Sequence, residues 1–113
     1  MRADAGAPEP GDALDALADA NRREILRLLG ERERAVHELA SELPISRPAV
    51  SRHLRLLMRT GFVTEERAGT RHIFRLTDAG PQAVQAYLEQ LWSDASTRFR
   101  MFAENTTPRA DDD

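Results

Sequence analysis

The chain of 113 residues has no cysteine. Disulfides, thiolate metal sites and thiol redox switches are therefore excluded at every position. It has no lysine either, so all 16 of its Lys-or-Arg positions are arginine. One Trp and one Tyr leave little aromatic surface for stacking on unpaired bases. No apolar run approaches the roughly 20 residues of a membrane span. No charged-then-apolar leader opens the chain, and the expectation is a cytoplasmic protein without a membrane partner. No phosphate-cradling glycine loop and no Ser-His-Asp arrangement is visible, so neither a catalytic set nor a cofactor is expected.

What is present is enough apolar material for one core. Hydrophobic residues make up 41% of the chain, which suits one domain and is too little chain for two. The net charge of −3 is unevenly placed. Acids crowd the ends, with Asp4, Glu9, Asp12, Asp15 and Asp19 at one and Asp111 to Asp113 at the other. Between positions 43 and 77 the balance reverses. Arg47, Arg52, Arg55, Arg59, Arg67, Arg71 and Arg75 stand there against only Glu65 and Glu66. Local charge decides where a phosphate can sit, whereas whole-chain charge mainly sets solubility.

Pro, Gly, Ala and acid in residues 1–11 predict a disordered arm, and residues 104–113 predict a disordered acidic tail. The span 12–103 between them is the folded domain. Asp12 and Asp19 are candidate caps for two short helices, the first carrying Leu14 and Leu17 and the second Ile25, Leu28 and Leu29, with Gly30 as its stop. A third helix is expected over 36–42. Pro44 then pushes Leu43 out of helical geometry. Ser46 caps a fourth helix that tolerates Pro48 in its first turn and ends near Arg59. Two β-rich runs, 62–67 and 71–76, flank Ala68-Gly69-Thr70, and a last helix covers about 81–103. In the second run Phe74 and Leu76 share a face. The order is α-α-α-α-β-β-α, a mainly α domain with a β-hairpin wing.

The third and fourth helices, joined through Pro44-Ile45-Ser46, have helix-turn-helix spacing. On the fourth, a projection of about 100° per residue gathers Val50, Leu54 and Leu57 into one stripe. Pro48, Arg52, Arg55 and Arg59 fall on the other side. Guanidiniums in line with no acid between them repel one another unless an anion meets them. Arg holds phosphate with a forked pair of bonds, or reads guanine O6 and N7 in the major groove. Ser46, Ala49 and Ser51 are small enough to let the helix N-terminus come close, where free N–H groups favour phosphate. A solvated arginine face is the plainer alternative, and the adjoining hairpin weighs against it. There Arg67 and Arg71 bracket Gly69, a tip suited to the DNA backbone or minor groove. These features together describe a winged helix-turn-helix for double-stranded DNA.

The stretches LADANRREILRLL (17–29), VHELASELPISRPAVSRHLRLLMRTGFV (36–63) and AGTRHIFRL (68–76) closely resemble the ArsR/SmtB family of bacterial winged-helix repressors. The form LPISRPAVSRHL is similar to its SdpR-like branch, although many members have Gly where Pro44 stands. The resemblance implies a homodimer on an inverted-repeat operator, repressing promoters that often include its own. It also implies that Ser46, Arg47, Ser51, Arg52 and His53 contact DNA with the wing alongside. His53 projects at the edge of that face, where a phosphate or a packing role is expected. The family's metal and thiol chemistry is not expected here. Ala35-Val36-His37 stands where a Cys pair would be, no His lies in 78–103, and the three His fall on three different elements.

The last helix carries Val84, Leu88, Leu91, Trp92, Ala95, Phe99 and Phe102 as one stripe of 3.6 period, roughly 35 Å long. A winged-helix body of this size cannot cover that length. The same helix of a second chain can, together with Leu14 and Leu17, giving a two-fold dimer. Two alternatives remain open: a repressor released by a small organic ligand near these helices, and a winged helix that binds protein instead of DNA.

Overall fold

A computed structural model of the chain describes residues 8–106. The outer parts of the expected arm and tail, 1–7 and 107–113, lie outside that range. The elements are α1 (Pro10–Ala16), α2 (Ala20–Glu31), β1 (Arg34–Ala35), α3 (Val36–Glu42), α4 (Arg47–Arg59), β2 (Val63–Ala68), β3 (Arg71–Leu76) and α5 (Ala79–Thr106). This is a mainly helical fold with a hairpin wing. The two-residue β1 is an addition to the expected order. It pairs antiparallel with β3, making a three-stranded sheet in the order β1-β3-β2.

Several boundaries differ from the sequence reading. Helix α1 starts at Pro10, because proline fits the first turn, and Asp12 sits inside that turn rather than capping it. Residues 10–11, expected in the arm, are thus helical, as are 104–106 at the end of α5. Gly30 does not end α2, which continues to Glu31. The carbonyl of Leu28 near the helix end is satisfied by the buried Arg34, whose Nε donates to it at 3.2 Å, and by the backbone N–H of Arg32 at 3.4 Å. Asp19 caps α2 as expected, its Oδ1 accepting from Arg22 N at 3.0 Å.

The core gathers Ile25, Leu28 and Leu29 of α2, Leu39 of α3, Val50, Leu54 and Leu57 of α4, and Phe62, Val63 and Phe74 at the base of the wing. Ala13 and Ala16 seal it from α1. Leu76 shares the Phe74 side of β3, yet at the strand end it is 44% exposed. Helix α4 ends on Gly61 at φ +84°, with Phe62 N donating to Leu57 O at 2.9 Å. The start of α5 crosses at this point. Gly80 N and Thr77 Oγ1 each donate to Gly61 O at 2.7 Å. A Cβ on Gly80 would stand 2.6 Å from Thr60 O, so only glycine allows the approach. This junction fixes α5 to the end of α4. Among the described residues no helix is long and apolar enough to cross a membrane.

Candidate nucleic-acid interface

The turn between α3 and α4 is short because Leu43 is extended, at φ −118° and ψ 147°, as the following Pro44 requires. Ser46 Oγ then accepts from Ala49 N at 3.2 Å and starts α4, with Pro48 in the first turn. Val50, Leu54 and Leu57 are buried as projected. Ser46, Arg47, Pro48, Arg52, Arg55 and Arg59 are exposed, and Ala49 and Ser51 half-buried. The core stripe thus holds α4 with its arginines outward.

The wing closes on a two-residue turn, since Ala68 pairs with Arg71. Gly69, at φ +68°, is the first central residue, the position at which a type II′ hairpin requires glycine. Arg67, Gly69 and Arg71 are exposed at the tip. The acids of the wing are held by its own bases: Glu65 bonds to His72, and Glu66 pairs with Arg75. Neither carboxylate is left bare toward an approaching anion.

Between α4 and the wing lies a cleft of about 500 Å³. It brings together four of the sequence-predicted site residues, Arg47, Ser51, Arg55 and Arg71, over an apolar floor that includes Leu54 and Phe74. The sequence reading missed four polar neighbours on its walls, His37, Glu65, Thr70 and His72. The β alternation of 71–76 puts His72 on the face away from Arg71, yet both line this cleft at the end of the wing. Arg47, Arg52, Arg55, Arg59 and Arg67 form no ion pair with any described residue. Arg71 is tethered instead, 3.5 Å from Glu38 Oε1 of α3. Glu38 also accepts from Ala35 N at 2.7 Å. That N–H bond first, and then Arg32 and Arg71, holds its carboxyl below the ordinary range against the opposing effect of burial.

The other predicted contact residues, Ser46, Pro48, Ala49, Arg52, His53, Arg59, Arg67 and Gly69, do not line the cleft, and two of them have other surroundings of note. Arg59 lines another depression, beside Asp12 and Asp15 of α1 and Glu9 just before it. His53 is 20% exposed and turns toward α2, with Nδ1 3.4 Å from Arg22 Nη1 and Nε2 3.9 Å from Asp19 Oδ1. Residues 19–65, from the cap of α2 into β2, match the family described as "Bacterial regulatory protein, arsR family". The HTH-type transcriptional regulator Rv2034 of Mycobacterium tuberculosis is 40% identical over 96 residues, covering 85% of this chain and 90% of that protein. The chain belongs to the bacterial arsR family of regulatory proteins. Its winged helix-turn-helix is accordingly a DNA-binding one. The HTH-type transcriptional repressor SmtB of the same organism is 44% identical over 68 residues, covering 60% of this chain and 50% of that repressor. Among solved structures, the homodimeric winged helix-turn-helix DNA-binding domain Mb0332 of Mycobacterium bovis aligns with a TM-score of 0.58 at 33% identity. That alignment covers 74% of this chain and 77% of that one. Family and relatives are regulators rather than enzymes.

The stripe on α5 is divided by the fold. Val84, expected on a dimer face, is 9% exposed and packs into the chain's own core, where it also lines a groove with Leu88 and Trp92. Leu88, Leu91, Trp92, Phe99 and Phe102 remain between 47% and 72% exposed, Ala95 is exposed beside them, and Leu14 is 36% exposed on α1. Leu17 lines an apolar groove with Leu88 and Trp92. Among the described residues, no three His, Asp or Glu side chains are grouped to hold a metal ion.

Proposed function

We propose that this regulator is a homodimeric repressor that occupies an inverted-repeat operator and does not respond to metals. The observation that carries the DNA reading is the set of unpaired arginines. Arg47, Arg52 and Arg55 lie on the outward side of a helix whose inward side is locked in the core. Arg52 is the proposed base reader, Arg47, Arg55 and Ser51 meet the backbone beside it, and Arg67 and Arg71 hold the flanking phosphates or minor groove. Ser46, Pro48, Ala49 and Gly69 let the protein backbone come close.

The dimer reading rests on α5. Along about 42 Å of helix, Leu88, Leu91, Trp92 and Phe99 stay between 47% and 72% exposed in the described chain. Leu14, Leu17, Leu88, Leu91, Trp92, Ala95 and Phe99 form the proposed seam, and the homodimeric state of the Mycobacterium bovis relative supports it. Occupation of promoter DNA by such a dimer excludes other proteins from it, hence the repressor assignment and a cytoplasmic place of action. The insensitivity to metals rests on the sequence: there is no thiolate at any position. His37 and His72 share a cleft wall, but Glu65 is already bonded to His72, and Glu38, near His37, is engaged by Ala35 N and Arg71.

Selection of bound sequences from random duplex DNA tests the whole reading. The expected result is an enriched motif of two inverted half-sites about one helical turn apart, near 34 Å. Enrichment of an asymmetric single site would overturn the dimer. No enrichment over the input would overturn sequence-specific recognition.

A further inference from the structure

We infer that His53, although it sits in the recognition helix, is a positioning residue that ties α4 to α1 through Arg22 rather than a group that touches DNA. The inference rests on the DNA-reading role given to α4 above. Three observations carry it.

First, the imidazole is turned inward. It is 20% exposed, while its neighbour Arg52 is exposed. Second, both ring nitrogens face α2. Nδ1 lies 3.4 Å from Arg22 Nη1 and Nε2 lies 3.9 Å from Asp19 Oδ1. A guanidinium can only donate, so Nδ1 is the acceptor and the ring proton sits on Nε2, directed toward the Asp19 carboxylate. Third, the same guanidinium reaches onward. Arg22 Nε donates to Ala16 O at 2.7 Å and Nη2 to Asp15 O at 3.4 Å. These are carbonyls at the C-terminal end of α1, where the helix runs out of internal donors, and Asp15 O also accepts from Ala18 N at 3.0 Å. Helix α1 in turn packs along α5.

A continuous set of polar contacts therefore runs from the α1–α5 half, through Arg22, to the middle of α4. Arg22 is the hub, and it bonds to α4 through His53 alone. Asp19 anchors the far side of the ring while capping α2. A network of this kind has two arrangements available to it, bonded or broken, and so fixes the angle at which α4 is presented.

The test uses His53→Ala, His53→Asn, His53→Gln and Arg22→Met in the full chain. Asn Oδ1 stands where Nδ1 accepts; Gln Nε2 stands where the ring N–H would reach a phosphate. His53→Ala is expected to lower affinity for the preferred duplex roughly tenfold, and His53→Asn to recover most of it. The slope of log affinity against log salt should stay as in the wild type. In the Arg22→Met background, His53→Ala should add less than about twofold. Nitrogen-15 NMR of the imidazole should find Nδ1 unprotonated in the free protein. A slope reduced by about one, recovery by Gln rather than Asn, additive losses, or an Nδ1–H tautomer would each overturn the inference. If the wild type selects no duplex at all, the DNA reading of α4 fails instead. The tautomer and the melting temperatures of the Asn and Gln variants then still decide whether the contact exists.

Discussion

Two faces of this molecule carry arginine at similar density and are built oppositely. On the α2–α3 side every arginine is engaged. Arg27 bonds to Glu24 and Glu31, Arg32 lies 3.6 Å from Glu38, and Arg34 bonds to Glu31, Glu42 and Leu28 O. On the α4 side Arg47, Arg52, Arg55 and Arg59 form no ion pair with any described residue, although Arg59 shares a depression with the acids of the α1 end. A count of charges would treat the faces alike. Their free energies differ, because paired charges have already given up their attraction within the chain, while bare ones retain it for a partner. The difference marks the DNA side, and it is a difference of pairing, not of composition.

Substitutions that exchange the behaviour of the two faces should therefore fail in different ways. The largest effect is expected from Arg34→Met, on the paired side. Arg34 is 3% exposed and bonds to a carbonyl and two carboxylates around the end of α2. Its loss leaves the Leu28 carbonyl short of a buried donor, at a cost of about 2–4 kcal/mol of folding stability. Urea denaturation should show this, while the folded fraction binds DNA as before. Arg52→Ala should do the reverse: stability within about 0.5 kcal/mol of wild type, but a loss of about 1–3 kcal/mol on the preferred duplex. If Arg52→Ala leaves the ratio of preferred to random affinity unchanged, Arg52 is not the reading residue.

The bare face was the part most legible in the sequence. A core stripe of Val50, Leu54 and Leu57 fixes which way the arginines of α4 point, because a 3.6-residue period leaves one solution. The turn chemistry of Pro44, Ser46 and Gly69 gave the helix-turn-helix and the wing tip for the same reason: few backbone geometries suit those residues. The paired face was not legible. Arg34 gives no local signal of burial, since its partners lie on two other elements, α2 and α3, and only the folded arrangement brings both to it. Strand β1 escaped because two residues have no period. His53 projected to the edge of the DNA face, where a helical wheel does not separate an inward contact with α2 from an outward one.

Arg71 belongs to both faces, and the next expected effect lies there. It sits at the wing tip yet is 3.5 Å from Glu38, a partner it must leave to meet a phosphate. Glu38→Gln keeps an acceptor for Ala35 N and removes the charge. Affinity for random duplex should rise about two- to fivefold, since an exposed pair of this kind contributes less than about 1 kcal/mol. The preference for the selected sequence should not change, because phosphate contacts carry no sequence information. Fluorescence-anisotropy titrations of both duplexes at several salt concentrations separate the two quantities. A fall in random-duplex affinity would mean that Glu38 aims Arg71 rather than competing for it.

The smallest effect concerns acid, and it bears on whether the paired side owes anything to charge beyond hydrogen bonding. The Asp19 carboxyl is held below the ordinary aspartate range, first by the backbone N–H of Arg22, then by that of Asn21 and by the nearby His53 and Arg22 side chains, with partial burial opposing. A carboxylate whose folded pKa lies below its unfolded value binds fewer protons when folded. Its stabilising contribution is complete above the unfolded value, about pH 4, and is lost as pH falls through the lower, folded value. Asn at this position caps the helix about as well and does not titrate. The stability of Asp19→Asn relative to wild type should therefore be lowest near neutral pH and should rise as pH falls below about 4. Urea denaturation of both chains between pH 3 and 7 reads this directly. A difference that stays constant over that range would show that the charge on Asp19 adds nothing to the cap, and that the hydrogen bond alone holds the start of α2 beside His53.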